Sequence, residues 1–161
     1  MTVKCSKVKI GDTYFKIVQW PVKGSLLDYD KFIDKVKQLE RKDDTLLIVS
    51  PVEFHPLQCL SAFIHAIDSF RLGKNKMKTI DLQALSILYG ESQIKRLFKS
   101  IRGQVIERGF FNVCIIHAGE HPGTRFLPKP PETPKECGEP TLDQEALESL
   151  VNVVRNYLKM I

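Results

Sequence analysis

The chain has 161 residues, of which 43% are hydrophobic and 27% charged, values typical of one soluble globular domain and unlike those of disordered or collagenous chains. Its net charge is +5, and no uninterrupted apolar run approaches the roughly 20 residues that cross a bilayer. The first ten residues lack the apolar core of a signal peptide. Four cysteines without such a signal predict reduced thiols. We therefore expect a single cytoplasmic domain, 1–161, with no membrane partner.

The first 49 residues predict two strands, a helix and a third strand. Apolar residues flank a Gly-Asp turn at 11–12, as in a β-hairpin, and Pro21 is expected to break the second strand. Over 26–39 apolar residues recur every three or four positions, which is typical of an amphipathic helix. The apolar run at 45–49 then predicts a buried strand.

The middle of the chain is predicted to be helical. We expect helices over 57–72, 79–89 and 92–102, followed by a buried strand over 111–116. Pro56 suits the first helical position, and Thr79 can cap the second helix. Gly90 is expected to end that helix, because glycine adopts the left-handed conformation that follows many helices.

The C-terminal part contains a proline-rich segment and one more helix. Six of the nine prolines lie within 119–140, which predicts a surface loop rather than a domain boundary. Thr141 and Gln144 have the spacing of a capping box at the start of the last helix. These elements together predict the α/β (α+β) class, with a small mixed sheet packed by helices.

Few residues suggest chemistry. The chain has no glycine-rich phosphate loop, no G-x-G-x-x-G and no G-x-S-x-G. Metal ligands can be assembled only from His55 with Cys59, or from Cys114, His117 and His121, and neither set has the paired short spacings of a structural zinc site. We interpret them as core thiols and incidental histidines. We expect no catalytic residues, no metal and no other cofactor.

Positive charge is concentrated between residues 71 and 108, where nine basic and three acidic residues give +6. Such a concentration is typical of a site for a polyanion, and the alternative is a solvated basic helix face. Four cations and an amide surround the junction of the first two central helices: Arg71, Lys74, Asn75, Lys76 and Lys78. Cations neutralise phosphates, whereas amides and aromatic rings such as that of Tyr89 can read or stack single-stranded bases.

Four segments carry a family resemblance: SAFIHA at 61–66, FRLGKN at 70–75, DLQAL at 81–85 and YGESQI at 89–94. They resemble the KEOPS-complex subunit of the PRPK-binding protein (TPRKB) family, in which a basic turn with Asn is followed by a helix that closes on Ser-Gly-x-Arg-Gln-Ile. Here Tyr89 replaces the usual Ser and Ser92 the usual Arg, so a basic contact of the family is expected to be either lost or moved to Lys95 or Arg96. The loop at 119–140 is longer than in the family. The compact basic chain also resembles archaeal proteins.

The resemblance implies an accessory subunit without activity of its own. Family members bind a kinase-like ATPase and, through it, the threonylcarbamoyl transferase subunit, and the complex makes threonylcarbamoyladenosine beside the anticodon of tRNAs that read ANN codons. The family member recruits tRNA by its single-stranded 3' CCA end. The tRNA-binding residues predicted here are Arg71, Lys74, Asn75, Lys76, Lys78, Tyr89, Ser92, Gln93, Lys95 and Arg96.

The last helix is the predicted partner site. Its apolar surface is wider than one packing stripe, and a surplus of exposed apolar surface marks interaction sites. The predicted partner-binding residues are Val151, Val153, Val154 and Tyr157. A broad helix face turned wholly to the core is the alternative. Two other functions stay open, a free-standing basic RNA-binding domain and a kinase-binding scaffold without RNA contact, while a free-standing enzyme lacks the cluster that it needs.

Overall fold

A computed structural model describes residues 2–37, 45–119, 130–132 and 137–160. The elements are β1 Lys4–Ile10, β2 Thr13–Lys23, α1 Leu26–Lys37, β3 Thr45–Ser50, α2 Pro56–Arg71, α3 Ile80–Tyr89, α4 Ile94–Arg108, β4 Phe110–Ala118 and α5 Gln144–Met160. No helix in this described part is long and apolar enough to span a membrane.

The chain divides into two compact units, each built from two separate stretches. Unit 1 comprises Met1–Glu53 with Arg102–Glu139, and unit 2 comprises Phe54–Ile101 with Pro140–Ile161. The expectation of one domain over 1–161 stays a prediction. Within the loop predicted at 119–140, residues 120–129 and 133–136 lie outside the described residues.

Unit 1 is organised around a four-stranded sheet with the order β1-β2-β4-β3. The mixed α/β class is confirmed, but all three strand pairings are antiparallel, so the sheet itself is not mixed. The reason is that β4 lies between β2 and β3 and separates the two strands that run parallel. One row of paired residues crosses the sheet from Cys5 through Val18 and Ile115 to Leu47.

The second strand is longer than the sequence predicts, because β2 continues through Pro21 to Lys23. Pro21 pairs with Asn112 of β4, whereas the pairing with β1 ends at Gln19. The proline therefore lies where β2 has a partner on one side only, and a missing N–H is tolerated there.

The first helix of unit 1 is capped by its own sequence and packs on the sheet. The Ser25 hydroxyl accepts from the Asp28 N–H at 3.3 Å, while the Ser25 N–H donates to the Asp28 carboxylate at 2.8 Å. The Ser25 N–H, together with the Ser25 hydroxyl, which donates to the same carboxylate at 3.0 Å, holds the pKa of Asp28 below its usual value. Further along, the rings of Tyr29 and Phe32 lie 5.4 and 5.6 Å from that of Phe111 on β4. Residues 38–39 of the predicted helix lie outside the described part.

The free edge of the sheet is tied covalently to a segment near the end of unit 1. Cys5 forms a disulfide with Cys137, and the Lys7 N–H donates to the Gly138 carbonyl at 2.9 Å. The expectation of reduced thiols is therefore wrong for this pair, because residues 132 positions apart meet at the sheet edge. Cys59 and Cys114 are free and buried.

Unit 2 contains α2, α3, α5 and the first two turns of α4. The Asn156 amide of α5 donates to the Ile87 carbonyl of α3 at 2.8 Å, and the Tyr157 hydroxyl donates to Asp68 of α2 at 2.7 Å. The His65 ring of α2 lies 4.5 Å from the Tyr157 ring. Burial, reinforced by Asp68, raises the pKa of Tyr157 to about 12.

The helix ends match the sequence signals at some positions and depart from them at others. Thr79 caps α3, with its hydroxyl accepting from the Leu82 N–H at 3.2 Å, and Gly90 ends it with a positive φ of 67°, both as predicted. The fourth helix continues beyond the predicted end at Arg102 to Arg108. The last helix is capped by Asp143 instead of Thr141, because the Asp143 carboxylate accepts from the Ala146 N–H at 2.8 Å.

Candidate nucleic-acid and partner interfaces

We name residues 72–79, which link α2 to α3, the basic connector. Gly73 has φ of 65°, which lets the chain turn away from α2, and the Lys74 N–H donates to the Ser69 carbonyl at 2.8 Å. The side chains of Lys74, Lys76 and Lys78 are exposed, as is that of Arg71 on the last turn of α2. The structure thus brings the four predicted cations to one helix junction.

A buried glutamine holds the basic connector in place. The Gln83 side-chain oxygen accepts from the N–H groups of both Lys76 and Met77 at 2.9 Å. Gln83 is 1% exposed and Met77 is 3% exposed, so the connector is anchored from the inside while its lysines remain in solvent. Gln83 is not among the residues predicted from the sequence, although a polar residue in the otherwise apolar stretch from Leu82 to Leu85 was a usable signal.

Asn75 takes part in the same local arrangement. Its half-buried side chain donates to the Met77 carbonyl at 2.9 Å. The amide donor predicted to read a base is therefore engaged in closing the connector. The exposed chemistry of this segment is consequently cationic, which suits phosphate contacts better than base readout.

The remaining predicted tRNA residues lie at the other end of α3. Because α3 has ten residues and a helix rises about 1.5 Å per residue, roughly 15 Å separates the basic connector from the turn after Tyr89. Tyr89 is half-buried, and its ring lies 5.7 Å from that of Phe54 in an edge-to-face contact. The predicted residues therefore form two groups, and the Tyr89 ring is largely used in packing.

The second group surrounds the start of α4. The Glu91 carboxylate accepts from the Gln93 N–H at 3.0 Å, which fixes the turn that leads into the helix. Four predicted residues are exposed at this start: Ser92, Gln93, Lys95 and Arg96. Lys95 and Arg96 supply two exposed cations in the first turn of α4, and a displaced basic contact at these residues stays a prediction.

The last helix has two apolar faces. Val153 is fully buried and Tyr157 is 6% exposed, so these two predicted partner residues are core side chains of unit 2. Val151 and Val154 are 48% and 38% exposed, in agreement with an accessible position. Of the four residues predicted to bind a partner, Val153 and Tyr157 are therefore not exposed, because they lie on the helix face turned towards α2.

We name the exposed face the apolar stripe: Leu147, Val151, Val154 and Leu158. The spacing of four, three and four residues places these side chains in one line along a helix. Leu150, Arg155 and Lys159 complete an open groove along this line. Leu147 and Leu158 are not among the predicted partner residues, although both continue the same heptad spacing.

The candidate metal ligands do not converge. His55 caps α2, with its ring nitrogen accepting from the Leu57 N–H at 3.2 Å, and Cys59 is buried in the same helix. Cys114 and His117 lie an odd number of residues apart on β4 and therefore point to opposite faces, while His121 lies outside the described residues. No group of three metal-ligating side chains occurs in the part of the chain that the structure describes.

Comparisons with known proteins do not assign the chain to a family. No protein-family model matches it, and no curated protein matches it either. The functional interpretation therefore depends on the residues themselves and on the sequence resemblance described above.

Proposed function

We propose that this protein is a non-catalytic accessory subunit of the KEOPS tRNA-modification complex, which makes threonylcarbamoyladenosine. In this proposal it binds the kinase-like ATPase subunit through α5. Through that subunit it is linked to the threonylcarbamoyl transferase, and it recruits tRNA by the single-stranded 3' CCA end in the cytoplasm.

The observation that carries the tRNA part is the basic connector. Its lysines are exposed, yet its backbone is fixed by hydrogen bonds from Lys76 and Met77 to the buried Gln83. Cations on a fixed backbone lose less conformational freedom on binding than cations on a free chain. The second group of exposed cations, Lys95 and Arg96, lies about one helix length away. This separation suits an extended single strand of a few nucleotides.

The observation that supports the partner site is the apolar stripe. Four large aliphatic side chains in one line, each 38% to 61% exposed, present an apolar helix face to solvent. Such faces are found where an amphipathic helix docks in a groove of another protein. Arg155 and Lys159 border the stripe, so acidic residues on the ATPase subunit are expected to face them.

Titration of tRNA tests the first part. The triple substitution Lys74→Ala/Lys76→Ala/Lys78→Ala should weaken tRNA binding. It should also reduce the magnitude of the slope of log binding constant against log salt concentration by about two units, since each single-strand phosphate contact contributes roughly 0.7. Removal of the terminal CCA nucleotides should weaken binding to the wild-type protein but not to this variant. Binding is measured by fluorescence anisotropy.

The matched control is Lys23→Ala/Lys31→Ala/Lys35→Ala, which removes the same charge from three exposed lysines of unit 1. It should leave tRNA affinity within about twofold of wild type. Equal weakening by both triples, or no effect of CCA removal on wild type, contradicts tRNA-end recognition. If tRNA-end recognition is contradicted but the protein still binds the kinase-like ATPase subunit, the remaining function is that of a kinase-binding scaffold without RNA contact.

Two neighbouring valines test the partner site. Val154→Glu should abolish capture of the purified kinase-like ATPase subunit while leaving the circular dichroism and melting temperature of the free protein unchanged, because Val154 is exposed. Val153→Glu should unfold unit 2 instead, since it places a charge at a fully buried site. Ile106→Glu, at an exposed apolar residue of α4 in unit 1, is the control. Undiminished capture by Val154→Glu contradicts the assignment.

A further inference from the structure

A second basic surface lies on the β1–β2 hairpin of unit 1. In this hairpin Lys7 pairs with Lys16, and Lys9 pairs with Tyr14. Directly opposed residues of an antiparallel pair share one face of the sheet, and residues two apart on a strand share it as well. The strand register therefore places three lysines and one aromatic ring on the same side, and we name this set the hairpin face: Lys7, Lys9, Tyr14 and Lys16.

The hairpin face is largely open to solvent and is positively charged. Lys7 and Lys9 are exposed and Tyr14 is 40% exposed, while Lys16 is half-buried. Among the residues that the structure describes, no acidic side chain lies within salt-bridge distance of these three lysines. Glu53 forms its ion pair with Lys4. Lys4 pairs with Gln19 in the register and so projects from the opposite face.

The aromatic ring and the cations are arranged together. The ammonium groups of Lys7 and Lys9 lie 5.9 and 5.3 Å from the centre of the Tyr14 ring. Lys7 and Lys9 are two residues apart on a strand, which corresponds to about 7 Å, and Lys16 stands directly across from Lys7. An exposed ring within a cluster of cations at this spacing is the combination that binds single-stranded nucleic acid, where bases stack on the ring and cations contact phosphates.

We propose that the hairpin face binds a single strand of RNA, with one base stacked on Tyr14 and the phosphates on either side held by Lys7, Lys9 and Lys16. These four residues belong to unit 1, and none of them is part of the basic connector. It requires no CCA sequence, because lysine contacts to phosphate and base stacking on tyrosine are tolerant of sequence.

Two other polyanionic partners fit less well. An anionic membrane requires apolar side chains beside the lysines, but the exposed apolar residue at the hairpin tip, Ile10, pairs with Thr13 and belongs to the opposite face. An acidic protein surface would bind the lysines by ion pairs and would not need the exposed Tyr14 ring. If the partner is a membrane or an acidic protein, removal of the Tyr14 ring should leave binding affinity unchanged. If the partner is single-stranded RNA, removal of the ring should lower the affinity.

Fluorescence anisotropy with labelled oligouridine of 12 nucleotides tests the proposal, using the full chain in the Lys74→Ala/Lys76→Ala/Lys78→Ala background. This background removes the basic connector, and the oligonucleotide contains no CCA end, so the result is independent of the proposed tRNA function. The added substitutions Lys7→Ala/Lys9→Ala/Lys16→Ala should lower affinity at least tenfold. They should also reduce the magnitude of the slope of log binding constant against log salt concentration by about two units.

Tyr14→Ala should lower affinity about fivefold or more with an unchanged salt slope, and Tyr14→Leu should not restore it, because stacking requires the ring. The control Lys23→Ala/Lys31→Ala/Lys35→Ala should have less than a twofold effect. Equal losses from the hairpin and control triples overturn the proposal, as does full affinity in Tyr14→Ala. Binding to phosphatidylserine vesicles that depends on the three lysines but not on Tyr14 also overturns it, in favour of a membrane contact.

Discussion

The two basic surfaces of this protein are built in different ways. On the hairpin face in unit 1, the ladder of β1 and β2 sets the position of each lysine, so neighbours in space are alternate residues or residues on opposite strands. On the basic connector in unit 2, the lysines are close in sequence, and a single buried side chain, Gln83, holds the backbone that carries them. The comparison shows that local charge density finds the second kind of surface and overlooks the first, whose charge is assembled only by strand pairing.

The two surfaces also depend on different supports. The edge of β1 is tied to Gly138 by backbone hydrogen bonds and by the disulfide between Cys5 and Cys137. In unit 2 the support is non-covalent, through Gln83 under the connector and through Tyr157 and Asn156 between the helices. Selective removal of each support therefore distinguishes the two surfaces.

The largest effect is expected from loss of the disulfide. Cys5→Ser should lower the free energy of unfolding of unit 1 by about 2–5 kcal/mol, because the bond closes a long loop in the unfolded chain. Binding of oligouridine should weaken with it, while tRNA binding at the basic connector should persist. The measurement is urea unfolding with and without a dithiol reductant. Cys59→Ser, at a free cysteine, is the control: it keeps the disulfide, so its stability should fall with the reductant as in wild type, whereas Cys5→Ser should not respond to the reductant.

A smaller effect is expected at Gln83. Gln83→Leu leaves the N–H groups of Lys76 and Met77 without their acceptor, which should cost about 1–3 kcal/mol in the free energy of unfolding. Affinity for tRNA should fall even though no charge is removed, and the salt slope should be retained. Gln58→Leu makes the same chemical change at a half-buried site of α2 and should leave tRNA affinity unaltered. If Gln83→Leu binds tRNA as tightly as wild type, the fixed backbone is irrelevant to recognition.

The smallest effect is expected at alkaline pH, where titration of Tyr157 in unit 2 should lower the free energy of unfolding. The pKa of Tyr157 is raised to about 12 in the folded protein, whereas an unfolded tyrosine titrates near 10. The unfolded chain therefore loses its proton first, and the free energy of unfolding should fall as pH rises from about 10 to about 12. Urea unfolding at pH 9 and pH 11.5 measures this fall. Tyr157→Phe should show a smaller fall, and an identical one contradicts the role assigned to Tyr157.

Much of the fold was predictable because it is encoded in local patterns. The period of the apolar residues gave the three central helices, and capping chemistry gave the start of α3 at Thr79 and its end at Gly90. The end of β2 was misjudged at Pro21, because whether a proline is tolerated in a strand depends on which neighbours the strand has. The continuation of α4 to Arg108 was not predicted, although Gly109, which follows Arg108 with a φ of 68°, is the same kind of end signal as Gly90.

The candidate sites divide in the same way. By itself the sequence determined the mixed α/β class, the concentration of cations at 71–78 and an apolar surface on the last helix wider than one packing stripe. Only the tertiary structure decided which side of that surface is core, so that Val153 is buried and Val154 exposed. The tertiary structure alone also shows that Cys5 forms a disulfide with Cys137 and that Lys7 lies opposite Lys16 in the sheet. Burial, disulfide pairing and strand register all depend on contacts between residues distant along the chain, and no local pattern of residues specifies them.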